Sequence, residues 1–343
     1  MPCLQAAHAD NLPEHGLVSY KYLDYQDSQP GEDRIGVKAH SIMVMAPFAG
    51  RWMIQGSATV DAVSGASPRL WTMSSASMRD RRNAEDVSLT RYFPNDTLTV
   101  GANLSDENDY TSRGISLGGT HGSDDRNTTF HYGVGANDDH ITAQGLDRKK
   151  NTVGVMVGVT QVFTPRDIGQ FTVTHTNGHG FFTDPYKLAD FRPNERLQST
   201  VMLRWNHFFE GLEGTLRLNY RYYTDSWEIR AHSLGAEYVQ PFPQGWTLTP
   251  SFRVHDQSAA QFFVEPGGVP AGLPYRSFDQ RISAYGALTL GIKVAKELDA
   301  NWTWDMKYEL YEQRGSWRLL GEGSSGLAPF RARILQLGLS RKF

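Results

Sequence analysis

The chain has 343 residues, of which 39% are hydrophobic, and its mean hydropathy is −0.46. No stretch approaches the roughly 18 unbroken apolar residues of a membrane helix. The net charge of −3, from 34 basic and 37 acidic side chains, gives no whole-chain reason to expect nucleic acid or an anionic membrane surface as partner. Yet there are 8 Trp, 15 Tyr, 17 Phe and 33 Gly. A transmembrane β-barrel reconciles the two, because only alternate strand residues face lipid and aromatics collect at the interfaces.

At the start, Ala7-His8-Ala9 fits a small-x-small cleavage pattern. Residues 1–9 are therefore expected to be the remnant of an export signal, and residues 10–343 a single outer-membrane β-barrel domain. Cys3, the one cysteine, precedes Asp10, the expected first mature residue, so neither a disulfide framework nor a cysteine metal site is expected.

From there the chain repeats about ten residues of alternation followed by a turn cluster. The first strands are expected at Leu17–Gln26, Arg34–Met45, Arg51–Ala62, Glu85–Tyr92, Thr97–Leu104 and Tyr110–Thr120. Then come Thr128–Asn137, Thr152–Phe163, Ile168–Thr176, Ser199–Phe209, Gly214–Thr224 and Ile229–Val239. Trp246–His255, Ile282–Val294, Trp302–Gln313 and Phe330–Phe343 complete the set. That is an all-β, single transmembrane antiparallel up-and-down barrel of about 16 strands, with 14 or 18 as the neighbouring even counts.

The connections carry a second signal. The five longest, Val63–Ala84, Asp138–Asn151, Asn177–Gln198, Asp256–Arg281 and Arg314–Pro329, are all odd-numbered, while the even ones are mostly short turns. Short periplasmic turns, long extracellular loops and two periplasmic termini follow, which places the chain in the bacterial outer membrane. The last strand ends on Phe343, with Leu335, Leu337 and Leu339 on one face. Closure pairs it with Leu17–Gln26.

An arginine at the lipid midplane costs about 2–4 kcal/mol, so charged alternating residues belong to the lumen. The expected lining is Asp61, Arg204, Arg217, Arg221, Glu237, Arg253, Lys293, Asp305, Lys307 and Glu309. Its basic excess would favour anions, whereas Asp305, Lys307 and Glu309 read as a self-neutralising row. At the outer mouth, Ser64, Ser67, Arg79, Asp80 and Arg82 form a loop of hydroxyls, a carboxylate and a basic cluster. Asp184 and Tyr186 mark another loop. Asp106, Glu107 and Asp109 group oxygen ligands suited to Ca²⁺, without the spacing of an EF-hand. His175 and His179 lack a third metal ligand and read as a loop anchor. Phe262-Phe263-Val264 is an apolar run that either extends a strand or packs into the lumen.

Several motifs together carry a resemblance: residues 61–68 (Asp-Ala-Val-Ser-Gly-Ala-Ser-Pro), Asp80-x-Arg82, Glu107-Asn108-Asp109-Tyr110, Asp184-Pro185-Tyr186 and Asp279-Gln280-Arg281-Ile282 running on to Ala287. In this order they resemble the proteobacterial family catalogued as domain of unknown function 3570, over nearly the whole mature chain. The resemblance implies an outer-membrane barrel without a settled activity. It also implies genomic neighbours, a small lipoprotein and a flavin-attaching enzyme, that hint at a partner in envelope redox traffic or export. Arg341 departs from the apolar residue usual there.

The preferred expectation is thus a pore, or a conduit for a partner, with no enzymatic activity, no resident cofactor and outer-membrane lipid around it. A surface receptor or adhesin acting through the long loops is the alternative. An outer-membrane hydrolase with Ser64 or Ser67 as nucleophile near Asp61 is weaker, since no nucleophile-elbow motif is present.

Overall fold

The computed structural model describes residues 11–66, 77–187, 189–268 and 274–343, with the backbone alone for 63–66 and 77–80. Its strands are β1 (Leu17–Gln29), β2 (Glu32–Phe48), β3 (Trp52–Ala66), β4 (Ser77–Tyr92), β5 (Asp96–Asp106), β6 (Tyr110–Gly122), β7 (Thr128–Ile141) and β8 (Arg148–Thr164). They continue as β9 (Asp167–Gly180), β10 (Glu195–Phe209), β11 (Gly214–Asp225), β12 (Arg230–Phe242), β13 (Trp246–Gln257), β14 (Tyr285–Glu297), β15 (Trp302–Arg314) and β16 (Phe330–Lys342). Each pairs antiparallel with its sequence neighbours, and β1 pairs with β16, so the 16 strands form a closed barrel.

Closure is regular. The β1–β16 register runs without a shift from Leu17 opposite Lys342 to Ser28 opposite Arg331. The Ser19 and Ser340 hydroxyls meet at 2.9 Å on the inner face. Below them Gly16 and Phe343 exchange backbone hydrogen bonds of 2.8 and 3.0 Å. The Phe343 ring covers Gly16, where any Cβ would collide with it at about 2.4–2.8 Å, so the glycine is what lets the ring lie flat.

Alternation decides the two faces. Val153, Val155 and Val157 are 50–60% exposed on the outside of β8, while the intervening Gly154, Met156 and Gly158 point inward. At the end that carries the termini, cations lie over outward-facing rings. Arg91 stands 5.2 Å from Trp52 and 4.9 Å from Phe93, Lys296 5.2 Å from Trp246, and Arg341 5.4 Å from Trp302. Long basic stems along an aromatic girdle are what a headgroup region selects, which also accounts for Arg341. Elsewhere on the outer face, histidines are satisfied by tyrosines: Tyr20 with His40 at 2.8 Å, and Tyr220 with His232 at 2.7 Å.

The long connections that follow β9, β13 and β15 leave from the same end of the barrel as the end of β3, and no turn at the other end exceeds 123–127. The expected loop Val63–Ala84 is a correction. β3 continues to Ala66 and β4 begins at Ser77, so Ser64, Arg79, Asp80 and Arg82 are strand residues. The two strands go on pairing beyond the apolar band because ladder hydrogen bonds persist in water wherever both chains stay extended. Ile229 and Ile282, expected to open strands, sit instead in turns and are buried against other loops. His175 and His179 lie on β9 and contact the neighbouring strand, Ser199 at 3.0 Å and Glu195 at 3.4 Å.

In a Cys3→Ser background, Ser19→Cys with Ser340→Cys should form an intramolecular disulfide on oxidation. Its linked peptide would be read by mass spectrometry, and failure to cross-link under conditions that oxidise free thiols would contradict the closure.

Candidate functional site

The functional surface starts from the inner face. Asp61, Arg204, Arg217, Arg221, Glu237, Arg253, Lys293, Asp305, Lys307 and Glu309 all fall on strand positions of the parity opposite to the outward apolar residues. Lys293 on β14 reaches Asp305 on β15 at 3.5 Å, and Lys307 reaches Glu309 two residues along the same strand at 3.0 Å. This sector neutralises itself. Asp61 is buried and held by Arg82 across the β3–β4 ladder, at 2.7 and 2.8 Å from Nη2 and Nε. Two inner ion pairs were not singled out in the sequence: Lys150 with Asp139 at 2.9 Å, and Arg196 with Asp225 at 2.6 Å. Their signal was available only through register, since each joins two adjacent strands.

A different wall spans β5 to β9. The register row Gly101, Ser116, Gly135, Gly154, Thr176 crosses five strands with no side chain larger than threonine. Polar side chains beside such glycines lie along the wall. The Asn103 and Asn137 amides occupy the space a Cβ on Gly114 would need, and Asn219 does the same over Gly235, with its Nδ2 2.7 Å from that position. Flat side chains keep the wall thin and offer donors and acceptors to whatever stands in the lumen.

Over the loop-rich end, three connections pack together. Trp227, Ile229, Ala260, Phe262 and Ile282 form a buried cluster, with Phe182, Tyr223 and Phe263 against it. Tyr223 lies on the inner face of β11, so the cluster sits over the lumen side of that strand. Phe262 is 3% exposed and meets the Trp227 ring edge-on at 5.2 Å. Phe262 and Phe263 therefore pack among the loops and extend no named strand, although Phe263 makes a lone bridge to Ser277. The Trp227 indole donates to the Glu195 carbonyl at 3.0 Å, and the Arg196 guanidinium lies 4.0 Å above its ring. Asp225 accepts the backbone N–H groups of Trp227 and Ile229, both at 3.0 Å, which fixes the tight turn.

A charged junction ties this cluster down. Asp279 has no exposed surface; its carboxylate accepts from Arg192 at 2.8 Å and Arg281 at 2.7 Å, with Lys187 at 3.5 Å. Arg281 also donates to Asp184 at 2.6 Å. The Asp184-Pro185-Tyr186 and Asp279-Gln280-Arg281 motifs, far apart in sequence, thus meet. Burial alone would raise the Asp279 pKa, but Arg281, with Lys187 and Arg192, holds the carboxyl well below the ordinary range. Tyr186 stays on the surface, its N–H donating to Asp184 at 3.0 Å. Gln280 reaches the Gln29 side chain at the end of β1 at 3.1 Å.

The remaining candidates are not brought together. Ser67 lies outside the described residues, and Ser64, Arg79 and Asp80 take paired strand positions on β3 and β4. Asp106 accepts the Thr111 hydroxyl at 2.7 Å across a tight turn closed by Glu107 N–H to Tyr110 C=O. Among the described residues no group of three His, Cys, Asp or Glu side chains could hold a metal ion, and the Asp106, Glu107 and Asp109 carboxylates do not converge as expected for Ca²⁺. The two-strand turn pulls Asp106 into pairing its neighbour.

With this geometry in place, the family profile described as "Protein of unknown function (DUF3570)" matches residues 72–334. The chain belongs to this family. No curated protein sequence matches it. Among solved structures, a bacterial polysaccharide outer-membrane secretin is similar at TM-score 0.55 and 9% identity, over 98% of this chain and 99% of that one. The siderophore receptor PirA from Pseudomonas aeruginosa is similar at TM-score 0.50 and 7% identity, over 97% and 81%. These likenesses show the fold: this member of the family is an outer-membrane-type β-barrel.

Gly114→Leu should cost about 1–3 kcal/mol by overpacking and push Asn103 and Asn137 off the wall, read as a lower denaturation midpoint. Asp279→Asn should open the loop junction, because breaking a buried ion pair costs about 3–5 kcal/mol. Hydrogen-exchange protection in 181–187 and 274–284 should fall at least tenfold while the strands stay protected. A depressed carboxyl contributes stability above its ordinary value of 3.8 and loses it only as pH falls through the lower folded value. Wild-type protection, corrected for intrinsic rates, should therefore be level from pH 7 to about 5.

Proposed function

We propose that the chain is a hydrophilic pore of the bacterial outer membrane, with both termini in the periplasm and the long loops outside. What carries this reading is the closed 16-strand barrel with a charged and hydroxyl-bearing inner face. Sixteen strands enclose a lumen wide enough for water unless something fills it. Side chains that lie flat over glycines support it, since a wall built to fill the barrel would project bulk inward. The girdle of cations over Trp52, Trp246 and Trp302 supports a membrane interface at the end that carries the termini.

The loop cluster then acts as a partial cover over the mouth, held by Phe262 and Trp227 and clamped through Asp279. A hydrolytic role has little support. Asp61 is engaged by Arg82, and among the described residues no histidine is placed against it.

Single-channel recordings on purified protein in planar bilayers test the proposal. Stepwise currents are expected, and Phe262→Ala, which empties the cover's core, should raise the conductance or the open fraction. Silence at every voltage for both proteins would overturn the open pore.

A further inference from the structure

Four inner arginines form one patch, and among the described residues none of them is held in a direct ion pair. Arg204 on β10 stands opposite Asn219 on β11, Asn219 opposite Gly235 on β12, and Gly235 opposite Arg253 on β13. Arg217 and Arg221 flank Asn219, two residues away on either side along the same inner face. Strands about 4.8 Å apart and a rise of about 3.4 Å per residue set these four backbone positions within a square of roughly 14 Å, a span that long arginine side chains can bridge when they leave their neutral partners for a solute. Asn219 lies flat over Gly235 at the centre, which keeps that part of the wall low.

The hydrogen bonds that these arginines make go to neutral oxygens at long distance. Arg204 donates to Gln170 on β9 at 3.2 Å, Arg253 to the Thr289 hydroxyl on β14 at 3.2 Å, and Arg221 to the Thr200 hydroxyl at 3.4 Å with its guanidinium 5.4 Å from the Tyr223 ring, so in the empty barrel they rest on the flanks of the patch. Five other inner carboxylates are matched with their own cations: Asp61 with Arg82, Asp139 with Lys150, Asp225 with Arg196, Asp305 with Lys293 and Glu309 with Lys307. Within the patch, one carboxylate, Glu237, stands opposite Arg217. Four guanidinium groups thus face one carboxylate, and Arg204, Arg217 and Arg253 are exposed to the lumen. Low-dielectric walls focus such a field onto the lumen, and guanidinium forks match carboxylate and phosphate oxygens.

We propose that this patch is a binding site for a multivalent anion, a solute carrying several carboxylate or phosphate groups. It rests on the proposed pore only for access to the lumen. The anion's charged groups are taken by Arg204, Arg221 and Arg253, with the Asn219 amide as neutral partner. Arg217 is balanced in part by Glu237, so that carboxylate tempers affinity and allows release.

Citrate is a suitable probe, with glucose as the neutral control, measured by isothermal titration on the detergent-solubilised full chain at low salt. Citrate should bind and glucose should not, and raising the salt should weaken citrate. Arg221→Gln with Arg253→Gln should weaken it at least tenfold, while Glu237→Gln, which removes the opposing charge, should tighten it. No citrate binding to the wild type, or equal binding to the double variant, would overturn the site even if the barrel conducts. Citrate binding that follows this order in a barrel silent in bilayers would keep the site and overturn the open pore.

Discussion

Everything in this structure depends on one demand of the bilayer, that no backbone N–H or C=O be left without a partner in hydrocarbon. A sheet meets that demand only by closing on itself. Here closure falls on β1 and β16, which pair from Leu17–Lys342 to Ser28–Arg331 without a register shift. Once closure is imposed, alternation has no freedom left. A residue that pairs across the seam has its face assigned all the way round, because every neighbouring register is fixed in turn. The outward valines of β8 and the inward arginines of β10 to β13 are consequences of the same ladder.

The inner face is then free to vary, since it answers to water and not to lipid. Two solutions stand side by side. From β5 to β9 the wall is cleared by glycine and short hydroxyl side chains, as in the row from Gly101 to Thr176. From β14 to β15, charges cancel locally through Lys293–Asp305 and Lys307–Glu309. Neither arrangement adds much to folding, because ion pairs facing water contribute about 0–1 kcal/mol. Their arrangement is therefore left free by the requirements of folding.

Much of this could be read in the sequence. Strand number, the seam between the first and last strands and the asymmetry of the connections all follow from alternation and turn residues, which are local signals. The strand ends of β3 and β4 did not, because polar residues at 77–84 look the same whether a strand continues in water or a loop begins. Ile229 and Ile282 misled for a related reason: an apolar residue at a turn has the same pattern as a strand start, and only the neighbouring loops show that it is buried against Trp227 and Phe262. Asp184 was singled out, but its partner Arg281 and the buried Asp279 were known only as parts of a motif, with nothing in their spacing to join them.

The arginine patch marks where sequence reading ends and register begins. Parity alone assigns Arg204, Arg217, Arg221 and Arg253 to the lumen, and parity says only which face a residue shares. Whether two such residues stand at the same height depends on turn lengths and ladder offsets summed over the intervening strands, and a shift of one position would reverse the face. A shift of two would keep the face and move each arginine by about 7 Å along the barrel. The face is therefore a strong inference from composition, and the height is a property of the fold. A selective site in a barrel is a matter of height, since charges spread along the wall act singly while charges at one level act together on one solute.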